Sequence, residues 1–275
     1  LQFKDIDIRR KDYQLLDSYF REYIRVGGLP EHVLHPSRDY LMSLVDDIIQ
    51  KDITAFHGLR DHHVIQDYFT LLMERSGKQV SINKISIRLS ISPETATRSL
   101  SYFENSYLIH LVSRKEKTNE RILSPKKLYA CDLGIKYLFI GERDLGSFFE
   151  NYVYLRIRTR QEVEYIMYEK NELDFFTQNQ TLIEVKYNTP LEGKQKKAFD
   201  EFPAKRKILI NSVRDLQIIE ELYRKTFTNQ LQNCVRLPIQ NNLKKIIKKL
   251  KLIMMLSYSK EWVAIQSFSS NPLTY

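Results

Sequence analysis

The chain has 275 residues, 43% hydrophobic and 28% charged, a make-up that excludes a disordered or fibrous protein. Its formal charge of +9 tilts the partners towards polyanions, because a basic surface attracts phosphates at long range. Two cysteines, Cys131 and Cys234, lack metal-ligand spacing, and no apolar run approaches the roughly 20 residues of a bilayer span, which argues against a disulfide scaffold, a zinc site or a membrane protein and sets the expectation of a reduced, cytoplasmic setting.

Residues 1–60 read as helical. In YQLLDSYFREYIRVGG, Leu15, Leu16, Tyr19, Phe20 and Tyr23 recur at three- and four-residue intervals, one apolar helix face. Gly27-Gly28 ends that helix and Pro30 follows, and a second helix is expected from about Arg38 to Ile53 on Leu41, Leu44, Val45, Ile48 and Ile49.

Residues 61–140 have a different grammar. A helix HHVIQDYFTLLMERSG ends at Gly77, and two short helices, SINKISIRLS and SPETATRSLSYFENSYL, meet around SIS. Ser81 and Ser92 are placed to N-cap them, with Pro93 in the first turn of the second, where a missing amide hydrogen is harmless. Ile82, Ile85 and Leu89 face inward from one, and Ala96, Leu100 and Phe103 from the other, a helix-turn-helix. LIHLVSRKEKTNERILSPKKLYACD then alternates on both sides of a charged centre from Arg114 to Arg121, so two strands around a basic hairpin complete a winged helix. Thr95, Thr97, Arg98, Ser101 and Tyr102 on the second helix, with Lys115, Lys117 and Arg121 on the wing, suit DNA phosphates and groove edges. Winged helices also dock other proteins, and both readings stand at this point.

From residue 141 to 212 the order is helix, three strands, helix, strand, an α/β unit. The helix runs from about Leu145 to Arg160, the strands are EVEYIMYE, ELDFFT and TLIEVKYN, and LEGKQKKAFDEFP and RKILIN follow. Residues 213–275 are less legible. There NLKKIIKKLK is an amphipathic basic helix that either covers a core with a solvated face or binds a membrane surface or nucleic acid. The six histidines have no ligand spacing with acids or cysteines.

The chemistry sits in the third unit. Side chains two apart on a strand share a face, so Glu184 and Lys186 point together. Asp174 lies on the preceding strand at the separation by which a hairpin brings neighbours side by side, and Glu150 lies on the upstream helix. Three carboxylates and a lysine suit Mg²⁺, which prefers a few hard oxygen ligands and keeps several waters. The reaction expected there is phosphodiester hydrolysis, with Lys186 orienting the water and offsetting charge on the phosphate.

Asp174 followed by Glu184-Val185-Lys186, with Glu150 on the first helix, resembles the restriction-endonuclease-like nucleases of the PD-(D/E)xK group, except that Leu173 stands where the proline would be. The blocks YFREYIRVGGLPEHV, DIIQKDI, ISPETATRSLSYFENSYLIHLV, KKLYACDLGIKYLF, FFENYVYLRIR, ELDFF and IEVKYN, in that order, resemble prokaryotic ATP-binding proteins in which a AAA-type ATPase domain precedes a domain of unknown function. The resemblance implies a fold class of α/β: a helical lid remnant over 1–60, a winged helix over 61–140, and a restriction-endonuclease-like domain with a small mixed sheet over 141–212. It implies catalytic Glu150, Asp174, Glu184 and Lys186, the first three as Mg²⁺ ligands, and a regulatory or docking module with a degenerate nuclease fold as the alternative. No G-x-x-x-x-G-K-[ST] is present, so no ATP site is expected within this sequence and the ATPase domain is expected in a longer reading frame.

Overall fold

Helix α1 (Arg10–Val26) buries Phe20, Tyr23 and Ile24 one turn apart, as the apolar spacing dictates, while Leu15 and Tyr19 turn outward. In this computed structural model, which describes residues 10–50 and 62–219, α1 stops at Gly27, whose φ of 73° lies in the left-handed region. Pro30 opens the short α2 (Pro30–Leu34), and α3 (Arg38–Ile48) starts at Ser37, whose hydroxyl accepts from the Tyr40 amide. The expected extension of α3 to Ile53 runs into residues outside those described.

Helix α4 (His62–Glu74) precedes the pair α5 (Ile82–Leu89) and α6 (Pro93–Asn105). The capping expected of Ser81 and Ser92 is present: their hydroxyls accept from the Lys84 and Thr95 amides, and Pro93 stands in the first turn of α6. Strands β1 (Ile109–Val112) and β2 (Lys127–Ala130) pair antiparallel, with Ile109 opposite Ala130. Their connection is not a plain turn. It contains the six-residue α7 (Thr118–Leu123), with Glu120 in its first turn and Arg121 in its last, each facing the dipole end it favours. Helix α8 (Leu133–Ile140) has no counterpart among the expected elements: it is apolar almost all round, which erases the periodic signal, and is buried for that reason.

Helix α9 (Leu145–Arg158) leads into β3 (Val163–Tyr168), β4 (Asn171–Thr177) and β5 (Thr181–Val185), and α10 (Gly193–Glu201) crosses over to β6 (Arg206–Ile210). The sheet order is β3-β4-β5-β6, antiparallel except for the β5/β6 pair, which sets Ile183 opposite Ile208. Apolar residues on both sheet faces explain the unbroken burial of β5: Ile183, Val185 and Ile208 join the large core with α9, and Leu173 and Leu182 pack with Ala198 and Phe199 of α10. The fold is thus mixed α/β, with a two-stranded hairpin and a four-stranded mixed sheet. One apolar cluster runs from Phe20 of α1 through Phe69 and Phe103 to Phe175 of the sheet, crossing both boundaries expected near 60 and 140. The basic helix expected around Leu243–Leu250, and Cys234, lie outside the described residues.

Pairing is irregular at one place. From Leu173 to Phe176 β4 advances three residues while β3 advances two, from Ile166 to Glu164, so the chain bulges at Asp174-Phe175. Such an extra residue bends a strand and re-aims a side chain.

Candidate acidic site

The bulge sends the Asp174 carboxylate into the space between β4, β5 and β2. Asp174 and Glu184 hold each other through the backbone: the Asp174 amide donates to Glu184 Oε2 at 3.2 Å, and the Val185 amide donates to Asp174 Oδ2 at 2.9 Å. Lys186 lies just past the end of β5, and its ammonium is 3.0 Å from Glu184 Oε1. Glu150 comes from the middle of α9, where Tyr129 of β2 donates to its Oε1 at 2.7 Å. The structure therefore gathers Glu150, Asp174, Glu184 and Lys186, drawn from a helix and two strands, into one cluster.

Its centre is a residue the sequence did not single out. Lys127, 1% exposed, places its Nζ 2.8 Å from Glu150 Oε1, 2.7 Å from Glu172 Oε1 and 3.0 Å from Asp174 Oδ1. Burial disfavours the Lys127 ammonium, but the charges of Glu150, Tyr129, Asp174 and Glu172 outweigh it and hold the group well above the ordinary lysine value. Glu172 joins because it stands two residues before Asp174 on β4, and Gln79 donates to its Oε2 at 2.8 Å. Gln195 of α10 donates to Glu184 Oε1 at 2.9 Å and to the Glu172 carbonyl. The i, i+2 spacing of Glu172 with Asp174 was the available signal for Glu172; no local signal marked Lys127.

Burial sets the electrostatics. Glu184 has no exposed surface, and burial followed by the charge of Asp174 pushes its pKa up to about 7 against the opposing pull of Lys186 and Gln195. Glu150 is raised as well, first by burial, with Lys127 opposing. Lys186, half-buried, is raised because Asp174 and Glu184 outweigh its own desolvation.

The donors are of the kind Mg²⁺ takes, but their arrangement does not fit a shared ion while Lys127 is in place. Glu150 and Asp174 both lie within 3.0 Å of the Lys127 nitrogen, so an ion bonded to both at about 2.1 Å would collide with it. Among the described residues no group of three or more His, Cys, Asp or Glu side chains is arranged to hold a metal ion.

The expected DNA-contact residues divide into two sets. Thr97, Arg98 and Ser101 lie exposed on α6, with Thr95 half-buried; the Thr97 and Ser101 hydroxyls donate to carbonyls one turn back. Lys117 is exposed at the start of α7. Lys115 and Arg121 are exposed as well but lie against the sheet, 3.5 and 3.7 Å from Glu164 of β3, with Lys115 also over the Phe176 ring. Arg121 and Glu164 line an open groove of about 570 Å³ with Arg158 and Gln161, and none of Glu150, Asp174, Glu184 or Lys186 borders it.

Residues 17–145 match the family described as Domain of unknown function (DUF8612), a span that includes Lys127 and stops before Glu150. The chain is similar to the uncharacterized protein MJ1544 of Methanocaldococcus jannaschii, 29% identical over 220 residues that cover 71% of this chain and 49% of that protein. It is similar also to an uncharacterized protein of Haemophilus influenzae, 25% identical over 187 residues, 64% of this chain and 46% of the other. The chain thus spans about half the length of the curated relatives it matches. No solved structure matches it.

Proposed function

We propose that this chain is the DNA-engaging part of a longer ATPase-type protein, a winged helix joined to a restriction-endonuclease-like unit with a nuclease-like site at Glu150, Asp174, Glu184 and Lys186. The observation that carries the reading is the convergence of these four residues, from a helix and two neighbouring strands, in a unit whose elements follow the order helix, three strands, helix, strand. The charge of +9 and the exposed Thr97, Arg98, Ser101 and Lys117 support a polyanionic partner. Within the site Lys186 offers an ammonium to a phosphate, and Glu184, with its pKa near 7, exchanges a proton in the neutral range.

A second reading, a regulatory or protein-docking module that binds without cutting, is favoured by Lys127, whose ammonium ties up the carboxylates. Nicking of supercoiled DNA, with Mg²⁺ and with a chelator, separates the two. The nuclease reading expects Mg²⁺-dependent nicking that Lys186→Ala abolishes. No nicking by the wild type, even with its ATPase region restored, leaves the docking module.

A further inference from the structure

We infer that the connection between β1 and β2 carries an apolar wedge, Ile122 and Leu123, that enters a DNA base step and kinks the duplex; this deepens the proposed DNA reading and rests on it. Ile122 and Leu123 are 71% and 86% exposed at the end of α7. A lone exposed aliphatic residue needs no account, but here two neighbours protrude together. Around them, residues 114–126 include five basic and two acidic side chains, and Lys115, Lys117, Arg121 and Lys126 are all exposed. An apolar tip set among cationic groups is complementary to a duplex, which offers phosphates outside and stacked apolar rings within.

The tip is braced at its base. The Ser124 hydroxyl donates to Glu116, closing the loop beneath α7, and Glu116 is also 2.8 Å from Arg114. The Tyr165 hydroxyl donates to the Pro125 carbonyl, and the Lys115 amide donates to the Tyr165 carbonyl at 2.8 Å, so both ends of the loop are fastened to β3. A wedge has to be held this way, because a loop ordered only on binding loses part of its contact energy to entropy. Size decides among the occupants. Two aliphatic side chains on a helix of six residues, about 9 Å long, fall well short of the roughly 800 Å² that each side of a specific protein interface buries, and of the broad apolar face by which a helix lies in a bilayer surface. Isoleucine and leucine are among the side chains that insert between base pairs.

The test uses the full chain and a duplex of about 30 base pairs with a central TA step, the kind that kinks most readily, labelled at its two ends for energy transfer. The wild type is expected to bend it by roughly 20° or more. Ile122→Ala with Leu123→Ala changes only exposed side chains, so it is expected to fold, to bind at low salt within about tenfold of the wild type through the phosphate contacts that remain, and to leave the duplex straight. A 2-aminopurine base beside the step is expected to brighten with the wild type and not with the double variant. A wild type that binds without bending, or a double variant that bends the duplex as much, overturns the wedge and leaves the DNA reading standing. A wild type that binds no DNA at low salt overturns both; binding to phosphatidylserine vesicles in its place, lost in the double variant, assigns the tip to an anionic lipid surface.

Discussion

At the scale of single residues, the site is governed by the cost of burying charge. Glu184 has its carboxyl raised from 4.5 to about 7 by burial, so the folded chain holds that proton more tightly than the unfolded chain does. Stability is therefore greatest on the acid side of this window and falls as pH climbs from about 4.5 towards 7, by roughly 3 kcal/mol for a shift of this size. Denaturant titrations at pH 5 and pH 8 are expected to lose most of that fall in Glu184→Gln, with Glu150, raised in the same direction, accounting for what is left. An equal fall in both proteins would assign the pH dependence elsewhere. Glu184 and Lys186 were legible because a strand puts alternate side chains on one face. Lys127 was not, because in SPKKLYACD it follows another lysine and reads as solvated. Its burial is decided by where β2 lies against α9 and β4, which no local pattern encodes.

At the scale of elements, local chemistry and tertiary packing can be told apart. Ser92 caps α6 as its spacing from Pro93 dictates, and Ser92→Ala is expected to lower stability by about 1 kcal/mol in chemical denaturation, whereas an unchanged midpoint would mean the cap has no energetic weight. The strands of the sheet and α9 were legible to within two or three residues because their apolar patterns are strong. Helix α7 was hidden by its charge: KEKTNERIL has turn composition, and its Ile122 and Leu123 remain exposed, so no buried face announced it. Helix α8 was hidden for the opposite reason, being apolar on every side. The β4 bulge has no sequence mark at all, since neither glycine nor proline stands at Asp174-Phe175, yet it aims the carboxylate on which the site depends.

At the scale of the whole molecule, basic charge is unevenly available. Lys115 and Arg121 are exposed but paired with Glu164 of the sheet, whereas Arg98 and Lys117 are exposed on the expected DNA surface away from that pairing. Arg98→Ala with Lys117→Ala is expected to weaken DNA binding alike on unrelated sequences and to flatten the slope of log affinity against log salt by about one for each phosphate no longer neutralised. Affinity and slope unchanged at low salt would place any DNA contact on another face.

The join between α1 and α8 has a mechanical consequence. The Gly28 amide donates to Asp132 Oδ2 at 2.6 Å, and a side chain at Gly134 would come within 2.5 Å of the Val26 carbonyl, so the two helices meet backbone against backbone. Such a contact has no long side chains to take up slack. Asp132 also lies just past the end of β2, the strand that begins with Lys127. The same short strand thus fixes both ends of this region, the acidic site through Lys127 at its start and the contact with α1 through Asp132 just past its end.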